Sequence, residues 1–270
     1  MYKIEIKLNG DFVNNFHHGS IYDLVFIDLE FWPDYVNGKA MQKIYGYTLT
    51  RIIRASKQQY IKIKFLEFKR EEKQLVNEIV QDIYTLKNKI FLGFNIKGSD
   101  LVTLRNRLKF FSIESSLFEI KLFDLRTLAN KNKIKYKGLN GLFKHLDIKV
   151  NTKIDGSYFR KNPQKVFYRK RGWIDILLNM FEYCLEDAAG YFEIVANWQK
   201  KIPLLTKEMV EIVSLGCSPQ QEKSDELEDI WMMLKEEHRK IILNYLFNPT
   251  SYEEIGEFWD NHHSLDEYWE

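Results

Sequence analysis

The sequence predicts an α/β domain in which helices flank a mixed β-sheet, followed by a small acidic, mainly helical C-terminal segment. Strand-like runs come first along the chain, and from Phe68 onward helical periodicity alternates with short apolar runs. This order is typical of a mixed sheet covered by helices. The length of 270 residues and the hydrophobic share of 45% supply enough apolar material for a large core.

Four strand-like runs form the predicted first half of the sheet. The first run alternates apolar and charged residues and ends at a turn signal, Asn9-Gly10-Asp11. The second run is apolar, and the fourth alternates again. The four predicted strands cover Tyr2–Leu8, Leu24–Phe31, Ile44–Ile53 and Tyr60–Phe65.

Helices and strands alternate in the rest of the domain. Apolar residues recur at helical spacing from Leu75 to Leu86 and predict the first long helix. Asp124 stands directly before a later predicted helix and is explained as its N-cap, so we keep it outside the site. The other predicted elements are the strands Ile90–Phe94 and Phe118–Phe123 and the helices Asp100–Phe110, Leu125–Asn130, Leu139–Leu146 and Ile174–Asn197.

Charge divides the chain near residue 200. Residues 201–270 hold 6 Lys and Arg against 16 Asp and Glu, which leaves 34 and 22 in residues 1–200, a charge near −10 after one near +12. We therefore predict a basic domain over 1–200 and an acidic segment over 201–270, with helices at Glu226–Phe247 and Ser251–Trp259. The basic domain suits a polyanionic substrate, and the acidic segment suits a protein partner.

Composition also excludes several classes of protein. No basic-then-apolar leader opens the chain and no apolar run is long enough to span a bilayer, so we expect a soluble, cytoplasmic protein without membrane contact. Cys184 and Cys217 lack CxxC spacing, which argues against a disulfide framework and against a thiolate zinc site. Reduced, structural thiols are the simpler interpretation.

Two acids within a predicted core strand are the first chemical signal. Asp28 and Glu30 lie two residues apart, so on a strand both side chains point to the same face of the sheet. Buried carboxylates without a partner are expelled or neutralised, and a divalent cation is the simplest way to balance a pair of them. The alternative is an edge strand with this face in water.

Two further motifs place acids on predicted helices. The stretch from Gly93 to Asp100 (Gly-Phe-Asn-Ile-Lys-Gly-Ser-Asp) runs from a buried strand through a turn to a helix start, where an acid is also expected as a cap or N-terminal charge. Farther along, Tyr183 and Asp187 are one turn apart in a long amphipathic helix and share a face. A buried Tyr bonded to a helix carboxylate gives the same pattern.

The three motifs together resemble those of the Tyr-containing DEDD 3′→5′ exonucleases. This ribonuclease H-like branch includes the proofreading domains of B-family DNA polymerases and their stand-alone relatives. The resemblance covers about residues 20–195 and departs from the family pattern at Ser99, where an aromatic residue is usual. The matches are Asp28-Leu29-Glu30 with Asp-x-Glu, Gly93 to Asp100 with Gly-Tyr-Asn-Ile-x-x-Phe-Asp, and Tyr183 to Ala188 with Tyr-Cys-x-x-Asp-Ala.

The resemblance implies hydrolysis of phosphodiester bonds at single-stranded DNA or RNA ends with two Mg²⁺ or Mn²⁺ ions. Hard oxygen ligands favour these ions over zinc. By the same resemblance, Asp28 is shared by both ions and Tyr183 orients the attacking water. The implied metal ligands are Asp28, Glu30, Asp100 and Asp187.

Substrate contacts are predicted next to these motifs. Phe31 and Trp32 follow the first motif and are candidates for stacking on the terminal base, with a core role as the alternative for Phe31, and Asn95 lies in the second motif. Before the third-motif helix, basic residues alternate with aromatic ones, which suits a single strand with stacked bases; a solvated basic loop gives the same pattern. The basic candidates are Arg169, Lys170 and Arg171, in a cluster that also holds Arg160, Lys161, Lys165, Phe167, Tyr168 and Trp173.

Two other functions fit the same motifs. A catalytically weak or inactive nucleic-acid-binding module is favoured by Ser99, and a structure-specific endonuclease would share the metal site. Retention of the four carboxylates and Tyr183 favours the exonuclease, because mutual repulsion among acids serves no purpose without metal. No readable motif separates DNA from RNA, so both stay open as substrates.

Overall fold

The computed structural model of the chain describes residues 1–9, 21–36, 39–113, 117–135, 138–149, 154, 156–201 and 211–216. All of them belong to one compact unit, Met1–Asp225. A second unit, Glu226–Glu270, lies outside the described residues, and so do the two helices that the sequence predicts after residue 225.

A seven-stranded mixed sheet flanked by helices confirms the predicted α/β class. The strands lie in the order β1-β4-β3-β2-β5-β6-β7. The pairs β1/β4, β4/β3, β3/β2 and β6/β7 are antiparallel, whereas β2/β5 and β5/β6 are parallel. β2 lies inside the sheet, paired with β3 along its length and with β5 at Leu24–Phe26, and Glu30 is buried, so the alternative of an edge strand with this face in water is wrong. The strands are β1 (Tyr2–Asn9), β2 (Leu24–Val36), β3 (Lys39–Ile53), β4 (Gln58–Phe65), β5 (Ile90–Gly93), β6 (Leu117–Asp124) and β7 (Glu211–Gly216).

Seven α-helices are described, together with short 3-10 helices at Ile21–Asp23 and Lys69–Glu71. Apolar residues at helical spacing bury one face of the first helix against the sheet, as its sequence pattern predicts. The longest helix is the last, and it contacts both β3 and β4. The helices are α1 (Glu72–Thr85), α2 (Asp100–Phe110), α3 (Leu125–Lys131), α4 (Gly138–His145), α5 (Tyr158–Lys161), α6 (Pro163–Phe167) and α7 (Trp173–Lys201).

Two parts of the fold differ from the prediction. The stretch for which a solvated basic loop was the alternative interpretation contains α5 and α6, which at four and five residues are too short to show helical periodicity. Pro163 opens α6, where its missing N–H costs nothing. Farther along, β7 pairs with β6, so the sheet takes its last strand from residues that the sequence analysis assigned to the acidic segment.

Aromatic packing joins β2 to α7. The Phe26 ring stacks on Tyr191 at 4.8 Å between centroids and meets Phe192 edge-on at 4.6 Å. Gly190 allows α7 to approach α4, because a Cβ atom there would lie 2.7 Å from Phe143 Cζ. These contacts fix the helix that carries the third motif against the strand that carries the first. Within the described part of the chain, every helix is too short or too polar to cross a bilayer.

Candidate active site

The first motif lies in the middle of the sheet. Asp28 of β2 lies opposite Thr48 of β3, and Glu30 lies opposite Gly46 of the same strand. A glycine is required at this point, because a Cβ atom on Gly46 would lie 2.2 Å from Phe65 Cδ1. Glu30 is 7% exposed and Asp28 is half-buried. Both carboxylates are therefore largely withdrawn from water.

The second motif brings Asp100 against the same strand. Asp100 Oδ1 accepts a hydrogen bond of 2.9 Å from the backbone N–H of Leu29, which lies between the two acids of the first motif. Gly93 permits the close approach of β5, since a Cβ atom there would lie 2.9 Å from the Ile27 carbonyl oxygen. Asp100 is 4% exposed. A third buried carboxylate thus joins the first two.

Asp124 shapes the turn that carries the second motif. Its carboxylate accepts hydrogen bonds from the N–H groups of Arg126 and Thr127 and caps α3, which confirms the sequence prediction. The same carboxylate accepts hydrogen bonds from Asn95 N and Lys97 N at 3.0 and 3.1 Å. Asn95 adopts φ 61°, a conformation that asparagine tolerates better than most residues. The Asn95 side chain also accepts a hydrogen bond from Arg126, so substrate contact by Asn95 stays a prediction.

The third motif is held to the sheet by a buried amide. Gln59 Nε2 in β4 donates a 3.0 Å hydrogen bond to the Ala188 carbonyl of α7, next to Asp187. Asp187 itself is 2% exposed and lies one turn after Tyr183. No sequence pattern indicated a role for Gln59, because the two partners are 129 residues apart.

Cys184 and Tyr183 surround the carboxylates with neutral groups. The Cys184 thiol donates a 3.5 Å hydrogen bond to Glu30 Oε1, and burial raises the pKa of this thiol, so it stays protonated. The Tyr183 ring lies 5.4 Å from the Phe159 ring. Burial, followed by the charge of Asp187, raises the pKa of Tyr183 above its ordinary value. The hydroxyl is therefore protonated at neutral pH.

Burial raises the pKa values of all four carboxyl groups, and repulsion by neighbouring acids adds to the rise at Glu30, Asp100 and Asp187. Desolvation is the largest cause in every case, and it raises the pKa of Asp28 to about 7. The charge of Asp28 raises the pKa of the other three carboxyl groups further, and the charge of Asp187 adds to the rise at Glu30. Because charges act on each other in this way only when they are close, the motifs form one electrostatic cluster.

The cluster lacks the cations that balance the other buried acids. Glu72 pairs with Arg107 at 2.6 Å, and Glu67 pairs with Arg169. In the part of the chain that the structure describes, no Lys, Arg or His forms an ion pair with any of the four carboxylates. Neither oxygen of Asp187 forms a hydrogen bond of ordinary geometry, although the Tyr183 hydroxyl lies near enough to counter part of the rise in the pKa of Asp187. Buried acids in such a setting are stable when they are protonated or when cations join them.

Hard divalent cations fit the chemistry of this donor set. Mg²⁺ and Mn²⁺ prefer carboxylate oxygens, and the unpartnered Asp187 oxygens offer two of them. Among the described residues, however, no three His, Cys, Asp or Glu side chains already converge at the spacing of a formed metal site. The donors therefore fit a cation in type and burial, and binding it requires the side chains to move closer together. The residues that would hold it are Asp28, Glu30, Asp100 and Asp187.

Trp32 belongs to the core, which corrects its prediction as a base-stacking residue. Its side chain is 0% exposed and packs edge-on against Phe167, with 5.2 Å between the ring centroids. Trp32 lies on the same face of β2 as Glu30 because side chains alternate along a strand, and α6 covers this face. Phe31, on the other face, is half-buried, and its contact with substrate stays a prediction.

The basic segment before α7 contains an anchor and two exposed cations. The Arg169 guanidinium pairs with the buried Glu67 and lies 4.7 Å from the Trp173 ring centroid, so it fastens the segment rather than only facing substrate. Lys170 and Arg171 are exposed and form no ion pair with any described residue. Their contact with substrate stays a prediction.

Tyr168 is a candidate that the sequence analysis named only as a cluster member. Its side chain is 62% exposed, whereas the neighbouring Phe167 is 8% exposed. Tyr168 caps the C-terminus of α6 and therefore points away from the core that Phe167 enters. A predicted helix over Pro163–Phe167 would have distinguished Phe167, inside the helix, from Tyr168, at its end.

Comparisons with protein-family models, with curated proteins and with solved structures find no match to this chain.

Proposed function

We propose that the chain is a divalent-metal-dependent 3′→5′ exonuclease that hydrolyses phosphodiester bonds at single-stranded DNA or RNA ends. The observation that carries this proposal is the cluster of three buried carboxylates and the half-buried Asp28, drawn from β2, α2 and α7, which form no ion pair with any described residue. The motif order of the exonuclease branch supports it. The strand order, in which antiparallel strands adjoin the parallel pair β5 and β6, is compatible with the ribonuclease H-like fold that we propose for this unit.

The carboxylates would bind the cations in an environment that strengthens electrostatic effects. Bound divalent ions supply an activated water and neutralise charge on the leaving oxygen. Burial of Glu30, Asp100 and Asp187 limits their contact with bulk water, which strengthens each charge interaction within the cluster. Hydrogen bonds also fix the positions of the carboxylates, because Asp100 accepts one from β2 and Gln59 donates one to α7 next to Asp187.

Tyr183 is better suited to orient the attacking water than to act as the general base that removes a proton from that water. A general base works best with a pKa near the working pH, and burial moves the pKa of Tyr183 upward, away from neutrality. The protonated hydroxyl would hold a water molecule by a hydrogen bond. A Cβ atom built on Gly156 would lie 3.9 Å from this hydroxyl, so an exposed glycine leaves space beside it.

The test uses 5′-labelled single strands of DNA and RNA side by side, with Mg²⁺ or Mn²⁺. We expect a ladder of products shortened from the 3′ end, and EDTA should abolish it. Asp187→Asn should remove nearly all turnover, because it removes a charged metal ligand of similar shape. The matched control is Asp175→Asn, which changes an exposed acid in the first turn of α7 and should retain activity.

Two outcomes would replace this proposal with one of its alternatives. Cleavage of a circular single strand, which has no end, would identify an endonuclease. Binding of the linear strand by a folded protein that cleaves neither DNA nor RNA with either metal would identify a binding module.

A further inference from the structure

An exposed aromatic ring lies in the basic segment beside the candidate site. The Tyr168 side chain is 62% exposed, and Lys69 Nζ lies over its ring at 5.5 Å from the centroid. The same ammonium group lies 6.0 Å from the centroid of Phe167, which is buried below. A cation therefore covers part of the Tyr168 ring, and the exposure of the side chain leaves ring surface open to solvent.

The backbone around this ring is fixed on both sides. The Arg169–Glu67 pair fastens the residue that follows Tyr168, and Arg169 adopts φ 45°. Gly172, with φ 74°, ends the turn before α7. An exposed ring on an anchored turn loses little conformational freedom when a ligand stacks on it.

The ring lies at the same end of the sheet as the carboxylates. β4 runs parallel to β2 because both are antiparallel to β3. The register places the last residue of β4, Phe65, opposite Gly46 of β3, and therefore level with Glu30 on the far side of β3. Lys69 follows Phe65 by four residues. On β2, Trp32 is about 7 Å beyond Glu30 and contacts the residue just before Tyr168.

We propose that Tyr168, supported by Lys69, is a stacking platform for a nucleobase of the single strand whose end enters the carboxylate cluster. This proposal rests on the proposed function for the identity of the strand. An open aromatic face suits an unpaired base, since bases within a duplex are already stacked on each other. The exposed cations Lys170 and Arg171 lie directly after the ring and suit the phosphates that flank such a base.

Binding measured in EDTA tests the platform without requiring hydrolysis. A fluorescent single strand should bind Tyr168→Ala about 5- to 150-fold more weakly than the unchanged chain, which is the range that loss of one stacked base gives. Tyr168→Phe keeps the ring and should bind like the unchanged chain. Lys57→Ala is the matched charge control, since it removes an exposed lysine from the β3–β4 turn at the opposite end of the sheet.

Abasic strands separate stacking from simple charge attraction. A single abasic site is moved along the strand, one position at a time. The unchanged chain should lose affinity at one position near the 3′ end, and Tyr168→Ala should show no such position, because the partner of the base is already gone. Equal affinity of Tyr168→Ala and the unchanged chain, or a flat abasic profile in both, overturns the platform.

The two proposals fail in different ways. A chain that binds through Tyr168 yet cleaves no strand keeps the platform and refutes the exonuclease. A chain that cleaves from the 3′ end with equal efficiency with or without the Tyr168 ring keeps the exonuclease and refutes the platform. Melting curves of the Tyr168 variants should match that of the unchanged chain, because the substituted side chain is exposed.

Discussion

Replacing Asp28 with asparagine is expected to stabilise the metal-free protein at neutral pH. Burial raises the pKa of this carboxyl from 3.8 to about 7, so between these values the folded chain holds a proton that the unfolded chain releases. The free energy of unfolding therefore falls as the pH rises through this interval, and the loss is complete above pH 7. Asparagine has a similar shape and no charge, so it removes the loss.

The size of the effect follows from the same interval. The difference between 3.8 and about 7 corresponds to roughly 4 kcal/mol at about 1.36 kcal/mol for each pH unit. Because Asp28 is half-buried and solvent screens part of its charge, we expect about 2 kcal/mol. A change of 1 kcal/mol moves the melting temperature of a unit this large by about 2–4 °C, so Asp28→Asn should melt about 4–8 °C higher at pH 8.

Melting curves in EDTA at pH 8 and pH 4.5 provide the assay. At pH 4.5 the gain of Asp28→Asn should shrink to less than half, since most of the titration interval then lies above the working pH. Asp175→Asn changes an exposed acid and should show no comparable pH-dependent gain. Added Mn²⁺ should raise the melting temperature of the unchanged chain more than that of Asp28→Asn. A variant that melts at or below the unchanged chain at pH 8 would refute the electrostatic argument.

Two further substitutions test positioning within the site. Tyr183→Phe should lower kcat by up to roughly 100-fold in single-turnover hydrolysis, by misaligning water, with little change in substrate affinity. A drop in stability of about 1 kcal/mol with unchanged turnover would instead assign the hydroxyl a structural role. Gln59→Leu removes donors to the Ala188 carbonyl and to Thr50 Oγ1, so urea denaturation should show a loss of about 1–3 kcal/mol. Gln81→Leu, at an exposed position of α1, should stay within about 0.5 kcal/mol of the unchanged chain.

Regular elements were predictable where one face is buried over several turns or pleats. The predicted bounds of α2 match the structure at both ends, because Asp100 opens it and its apolar pattern stops at Phe110. β2 runs five residues past its predicted end. Phe31 there is half-buried and Trp32 is buried, but both residues are apolar, so the sequence does not show this alternation. The short α5 and α6 have too few residues for any period to appear.

The site was predictable in its residues and not in its contacts. Strand alternation alone places Asp28 and Glu30 on one face. Periodicity carries no information about which distant elements meet, such as Asp100 with Leu29 across 71 residues or Cys184 with Glu30 across 154. The order of the three motifs supplied that information through resemblance. The burial of Trp32 could not be predicted from strand alternation, because the ring that covers it is Phe167 of α6.

The energetic cost of the carboxylate cluster is itself an argument for a ligand. A folded domain is stable by about 5–15 kcal/mol, and the roughly 2 kcal/mol expected for Asp28 alone is a substantial part of that. Elsewhere in the described chain, arginines balance the buried acids Glu67 and Glu72. A fold that can place a cation beside buried acids at those two positions, yet pairs Asp187 with no described Lys, Arg or His, retains an instability that binding of a divalent cation would offset. A variant of the cluster that is more stable than the unchanged chain in metal-free buffer should therefore gain less stability when metal is added.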